Sequence, residues 1–424
     1  NANGITLIQS TIETHGGNMA FYGRGGTNIS VTIDAPGTGS GTITSNGNNN
    51  GIRLLGGNSI DADGGKIYMY GYADDPSSSA NGVELSQTNS GGGDLISSSN
   101  SADDAIVIEG YAENNSSAAN SWGFYTHYST IQNIGGGGIH IKGSGAKNAG
   151  VTVATDGALL ANSGKITLEG IGAGTGNPEV LIQGAIGQKA GTSVVSSSAD
   201  IVIIGDQLTI SGTSPNGIVS SSGILTVRPY TAGIDIGVGS GSNTLQLPAS
   251  YFNTYFADGF SEIIVGDENS SLITIEGSTI YNDPLTLKTD ASIVFSSTGD
   301  LSSTVANGLT LWSRANGNNE ANDSNFGAVW MQQGSAINTG GGNLTMGGGQ
   351  DPQIGYALGD NSAPSGENNA RYRGVAMNGS VDAAGGNIII NGSAYTNATH
   401  SRGVSLGGPV KTNGAGTITV RGIG

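Results

Sequence analysis

Apolar and polar positions alternate in short runs along this chain, and one run recurs eight times: an aliphatic residue or Met, any residue, a second large apolar residue, any residue, then glycine. The copies are Met19 to Gly23, Ile67 to Gly71, Ile106 to Gly110, Ile139 to Gly143, Ile166 to Gly170, Leu344 to Gly348, Ile388 to Gly392 and Ile418 to Gly422. Side chains alternate across a strand, so the first and third positions share one face. That face is apolar in every copy, whereas the second and fourth positions admit Tyr, His, Thr, Glu, Lys, Asn and Arg and must tolerate water. Each copy reads as a short half-buried strand that ends in a glycine turn.

The repeat extends backwards. A glycine followed by an apolar residue opens it at Gly4, Gly51, Gly82, Gly123, Gly150, Gly327, Gly374 and Gly403. A third apolar point follows, such as Ile12, Ile60, Ile131, Leu159, Ile337, Val381 or Val410, and then a glycine pair, clearest at Gly16-Gly17, Gly64-Gly65, Gly137-Gly138, Gly341-Gly342 and Gly385-Gly386. Strand, bend, short strand, glycine bend and strand make a module too small to bury its own apolar residues, so copies must stack and share a core. The expected fold is therefore all-β: a parallel β-helix, or solenoid, with three short strands per coil and equivalent residues ~4.8 Å apart. A sandwich would call for hairpins without a common template, and a parallel α/β chain for helices between strands.

Composition fits that picture. Glycine makes up 75 of 424 residues without a three-residue period, which excludes collagen and points to bends of positive φ. Charged residues are only 11%; a charge repeated at one position of a stack would face its own copy a strand spacing away. The formal net charge of −17 argues against a nucleic-acid partner. No apolar stretch is long enough to span a membrane. The absence of cysteine suits either a reducing compartment or a protein exported unfolded. The chain opens at Asn1 without a signal-peptide pattern, as expected of a processed or excised piece.

Residues 1–176 carry five clear repeats, residues 177–310 keep short strands but lose the template, and residues 311–424 return to it, all expected as one continuous solenoid of roughly 15 coils and about 70 Å. The 47-residue gap between Gly4 and Gly51 leaves room for an extra coil, with strands at Ile29 to Ile33 and Thr42 to Thr44. Polar excursions begin near Asp74, Glu113, Arg314 and Asp360 and should project from one edge. In residues 248–259 the aromatics Tyr251, Phe252, Tyr255 and Phe256 fall at helical spacing between Pro248 and Gly259, predicting one short helix or aromatic flap.

The stretches GIRLLGGNSIDADGGKIYMYG (51–71) and GVAMNGSVDAAGGNIIING (374–392) resemble the repeats of filamentous-haemagglutinin-like exoproteins, secreted adhesins of Gram-negative bacteria. The run TLQLPASYFNTYFADGFSEIIVG (244–266), followed by YNDPLTL (281–287), resembles a block inside such proteins. The resemblance implies a right-handed β-helix, export through the outer membrane and a role at the cell surface or in a fibre. The N-terminal secretion domain and C-terminal translocator of that group are not in this sequence.

Candidate chemistry is sparse. Asp61 and Asp63, Asp74 and Asp75, and Asp103 and Asp104 form tight acidic pairs. A polysaccharide hydrolase or lyase would need carboxylates converging across neighbouring coils, but these lie where Asp commonly forms turns; a calcium ligand is the other alternative. His15, His127, His140 and His400 lack metal-ligand spacing. No catalytic residue, cofactor or metal site is assigned. Tyr22, Tyr68, Tyr70, Tyr72 and Tyr111 fall at or beside the same strand end in three successive repeats, so stacking would gather them into a stripe. Such a stripe either stiffens the sheet as cross-strand ladders or offers a contact surface for sugar rings or protein. Lys142 and Glu169, at equivalent outward positions 27 residues apart, should form an exposed ion pair worth ~0.5 kcal/mol if their coils are neighbours.

The expected role is a non-enzymatic structural shaft or adhesin segment of an extracellular or cell-surface bacterial fibre. Its expected partners are further copies of itself, head to tail or laterally, or glycans of a host or neighbouring surface. Joining the tail RGIG to the opening NANGIT would place the next repeat 25 residues after Gly403, in keeping with a longer rod or a stacking subunit. A polysaccharide-active β-helix enzyme and a glycan-binding module using the tyrosine stripe are the alternatives.

Overall fold

The computed structural model describes residues 3–35, 39–47, 50–74, 80–86, 93–113, 121–172, 177–212, 218–319, 327–359, 372–395 and 401–424, and only the backbone of 26–35 and 39–47. Strand accounts for 48% of the chain and helix for 2%, and the strands are short and assembled into parallel sheets. Two compact units divide at residue 225, Asn1–Leu225 and Thr226–Gly424.

In unit 1 the chain visits three sheets in rotation. The first aligns Ile5, Ile52, Val83, Phe124, Val151, Val180 and Leu208 as successive register partners. The second aligns Ile12, Ile60, Ile96, Ile131, Leu159, Ile186 and Val219. The third stacks the repeated motif itself, Met19, Ile67, Ile106, Ile139 and Ile166, and continues to Ile201. Two residues on, Phe21, Met69, Ile108, Ile141, Leu168 and Ile203 form a parallel row, and Ile67, Ile106, Ile139 and Ile166 are all buried. Alternation does the sorting: apolar positions of each strand go inward, where stacking removes them from water.

Unit 2 repeats the scheme. Ile236, Ile273, Ile293, Val329, Val375 and Val404 form one ladder, and Thr279, Leu301, Ile337, Val381 and Val410 a second. Ile263, Leu285, Leu309, Leu344, Ile388 and Ile418 form the third. Strands such as Glu262–Val265 and Leu285–Lys288, which lack the full template, thus occupy the same sheet as the copies that have it. Pro248 leads into a short π-helical turn, Tyr251–Tyr255, with Tyr251, Phe252 and Phe256 buried and the Phe252 and Phe256 rings edge to face at 5.7 Å.

Two details differ from the sequence reading. The insert before Gly51 is not an extra coil: the strand Met19–Ala35 runs on and pairs antiparallel with Gly39–Gly47. The alternating TNISVTID and GTIT around Pro36-Gly37 carry a hairpin signal, and local pairing of adjacent segments needs no coil neighbour.

Nor, Gly348 excepted, do the closing glycines end their strands. Ile67–Asp74 and Ile106–Glu113 continue through Gly71 and Gly110, neither of which has positive φ. What they need is room: a Cβ on Gly71 would collide with the carbonyl oxygen of Gly82, and one on Gly110 with that of Gly123. The closing strand of one coil touches the opening glycine of the next, backbone against backbone. Positive φ is found instead in the bends, for example at Gly16 (100°) and Gly385 (120°).

Candidate functional site

The third sheet of unit 1 turns its second and fourth motif positions outward. Tyr22 is the register partner of Tyr70, and Tyr72 of Tyr111. The Tyr70 and Tyr111 rings lie 5.3 Å apart, and the Arg24 guanidinium sits 4.6 Å over the Tyr72 ring. Tyr68 shares this face but has Ala20 and Val107 as its strand partners. Its hydroxyl donates to Asp104 Oδ2 at 2.7 Å, that of Tyr72 to Glu113 Oε2 at 2.6 Å and that of Tyr111 to Glu109 Oε2 at 2.8 Å.

Burial, and then these carboxylates, push the Tyr68, Tyr72 and Tyr111 phenols above their ordinary range; burial and the charge of Glu109 do the same for Tyr70. The phenols therefore stay neutral donors, and three of the five anchor the rings to the sheet. All five side chains are partly buried.

The acidic pairs separate. Asp61 Oδ1 accepts from the Asp63 backbone N–H at 2.9 Å inside a turn whose Asp63 has a φ of 49°. Asp74 lies 4.0 Å from the nearly buried Arg24, and Asp75 is outside the described residues. Asp104 pairs with Lys66, which with the Tyr68 hydroxyl holds its carboxyl below the usual range. Asp103 is exposed. Among the described residues no three His, Cys, Asp or Glu side chains are grouped to hold a metal ion.

His15 sits in a turn with a φ of 48°, His127 packs 4.1 Å from the Tyr128 ring with burial holding its pKa down, and His400 is outside the described residues. No helix among the described residues is long and apolar enough to cross a membrane.

Lys142 and Glu169 are register partners, with Nζ 2.7 Å from Oε1, while His140 Nε2 stands 3.6 Å from Oε2. His140 and Lys142 together hold the Glu169 carboxyl at about 2, against an ordinary 4.5. A depressed carboxylate pKa stabilises the fold above the unfolded value and loses that contribution as pH falls through the folded one, here between 4.5 and about 2. Glu169 is part-exposed, so solvent screening limits the effect to about 1 kcal/mol. Urea titrations should show Glu169→Gln less stable than the parent at neutral pH by up to that amount, with the gap narrowing as the pH falls through this window. A gap that stayed constant would contradict the assignment.

Unit 2 contains a feature that strand patterns did not reveal, a groove of about 810 Å³ on the outward face of its third sheet. Its floor is Thr226, Ile264, Thr286 and Thr310, followed one outward position later by Arg228, Lys288 and Trp312. Ile264 pairs with Thr286, Thr286 with Thr310 and Lys288 with Trp312. The rims are the turns 266–269 and 350–353.

Trp312 Nε1 donates to the Gly349 carbonyl at 2.6 Å, fixing the ring, and the Lys288 ammonium lies 4.6 Å from that ring and 2.8 Å from Glu268 Oε2. Arg228 faces Asp267 at 3.5 Å, and the Thr286 hydroxyl donates to Glu262 Oε1 at 2.5 Å. Lys288, and then the Glu268 backbone N–H, lower the Glu268 carboxyl. The usable signal was the fourth strand position: aligned on their aliphatic ladder, Leu285-x-Leu287-Lys288 and Leu309-x-Leu311-Trp312 bring a cation and an indole side by side.

Comparison with known proteins finds no matching family model, no matching curated protein and no matching solved structure.

Proposed function

We propose that this chain is a structural shaft or adhesin segment of a bacterial extracellular or cell-surface fibre, similar to the filamentous-haemagglutinin-like exoproteins. In this reading each unit is a closed right-handed parallel β-helix with three strands per coil. One observation carries it: in each unit, aliphatic residues superpose rung after rung in three parallel sheets visited in rotation. Backbone hydrogen bonds between rungs and a continuous apolar core make such a stack stiff along its length without disulfides or metals. Further copies, or glycans of a neighbouring surface, are the partners this role calls for, and the Tyr22, Tyr68, Tyr70, Tyr72 and Tyr111 side chains are a candidate contact face.

Antibodies raised against the folded chain test the location. Labelling of intact, unpermeabilised producer cells or of shed fibres is expected; staining that requires permeabilisation would refute the surface role. Cryo-electron microscopy tests the coil, for which a right-handed path with a ~4.8 Å rise per rung is expected.

A further inference from the structure

We infer that the groove around Trp312 in unit 2 binds a neutral oligosaccharide. Its chemistry is mixed in the way a sugar chain requires. The indole, held by its hydrogen bond to Gly349, offers an immobilised apolar surface, while the Thr226 and Thr310 hydroxyls, exposed Gln350, Gln353 and Asn269 and the rim charges supply donors and acceptors together. Each sugar hydroxyl is itself donor and acceptor, so such a lining satisfies it without a net charge on the ligand.

Charge decides against the acidic alternatives. Two cations, Arg228 and Lys288, line the groove against four carboxylates, Glu262, Asp267, Glu268 and Asp351. Both cations already face carboxylates, Asp267 and Glu268 respectively. A uronate, sulfated glycan or phosphate backbone would enter a negative site on a chain of net charge −17.

Dimensions favour an oligomer over a single ring. The floor crosses four strands, and a smaller depression of about 290 Å³ shares Thr310 and Gln353 with it and continues over Thr345 to Ile389. Five strand spacings give a track of about 24 Å.

The test uses the full chain, isothermal titration calorimetry and neutral hexasaccharides built from glucose, mannose, galactose or N-acetylglucosamine. An oligogalacturonate, a heparin-derived hexasaccharide and a trilysine peptide serve as charged controls. Binding of at least one neutral hexasaccharide, little changed by added salt, is expected. Trp312→Ala should weaken it about tenfold, and Gln353→Ala, at an exposed turn and therefore neutral for folding, should weaken it measurably. Thr167→Ala, facing outward in unit 1, should leave it unchanged, whereas Tyr68→Ala and Tyr70→Ala report whether the sugar sits on the tyrosine face instead.

Absence of binding by every neutral hexasaccharide would overturn the inference, as would preference for an anionic one or salt-sensitive binding of trilysine alone. Equal affinity in Trp312→Ala and Gln353→Ala, or loss of binding confined to the tyrosine variants, would move the site elsewhere and overturn it too. None of these results bears on whether the chain reaches the cell surface.

Discussion

Gly110→Ala is expected to destabilise unit 1 by about 3 kcal/mol, at the upper end of what overpacking costs, although alanine adds a single methyl group and Gly110 has ordinary strand geometry. The added Cβ would strike the backbone carbonyl of Gly123, which opens the following coil. A flexible side chain could swing aside. This carbonyl cannot, because Gly123 is held from both directions, donating its own N–H to the Ala149 carbonyl at 3.4 Å and accepting from the Val83 N–H at 2.9 Å.

The companion variant is Gly56→Ala, where φ is 75° but nothing lies within 4 Å of the new atom. There only left-handed strain applies, roughly 1–2 kcal/mol. Chemical denaturation of both variants would separate the two uses of glycine. If Gly56→Ala proved the more damaging, conformational freedom rather than close approach would be the reason for the repeat.

Ile141→Ala should cost about 2–5 kcal/mol, the usual range for truncating a fully buried aliphatic side chain. Ile141 is 0% exposed and lies between Ile108 and Leu168 in the inner row of the third sheet. Rungs held by backbone hydrogen bonds on both sides cannot close onto the cavity, which places the cost in the upper half of that range. Thr167→Ala, one strand away but facing outward, should change stability by no more than ~0.5 kcal/mol. Equilibrium unfolding in urea with unchanged m-values is the measurement, and comparable losses in the two variants would contradict the assignment of inner and outer faces.

The tyrosine face and the groove differ in how much of each the sequence exposes. Tyr22 with Tyr70 and Tyr72 with Tyr111 can be paired from the template, because copies of one motif stack at equal offset from their glycines, and the same logic joins Lys142 to Glu169. The anchoring of Tyr68 to Asp104 cannot, since Asp104 belongs to a turn outside the motif, 36 residues away. The groove is hidden for a related reason. Strands Glu262–Val265, Leu285–Lys288 and Leu309–Ser313 lack the closing glycine that marks the template, and the rims come from turns whose placement only the fold supplies.

The sequence by itself determines which residues are inside: a period of two with apolar first and third positions permits one buried face, and glycine-framed repeats too small to fold alone require stacking. It also marks where glycine is indispensable, but not why, because close backbone approach and positive φ select the same residue. Tertiary structure decides that reason, turns the insert before Gly51 into an antiparallel hairpin rather than a coil, and gathers Arg228, Lys288 and Trp312 into one groove. Those outcomes depend on which rung lies beside which, and that adjacency is set by hydrogen bonding between segments tens of residues apart, whose spacing no local pattern records.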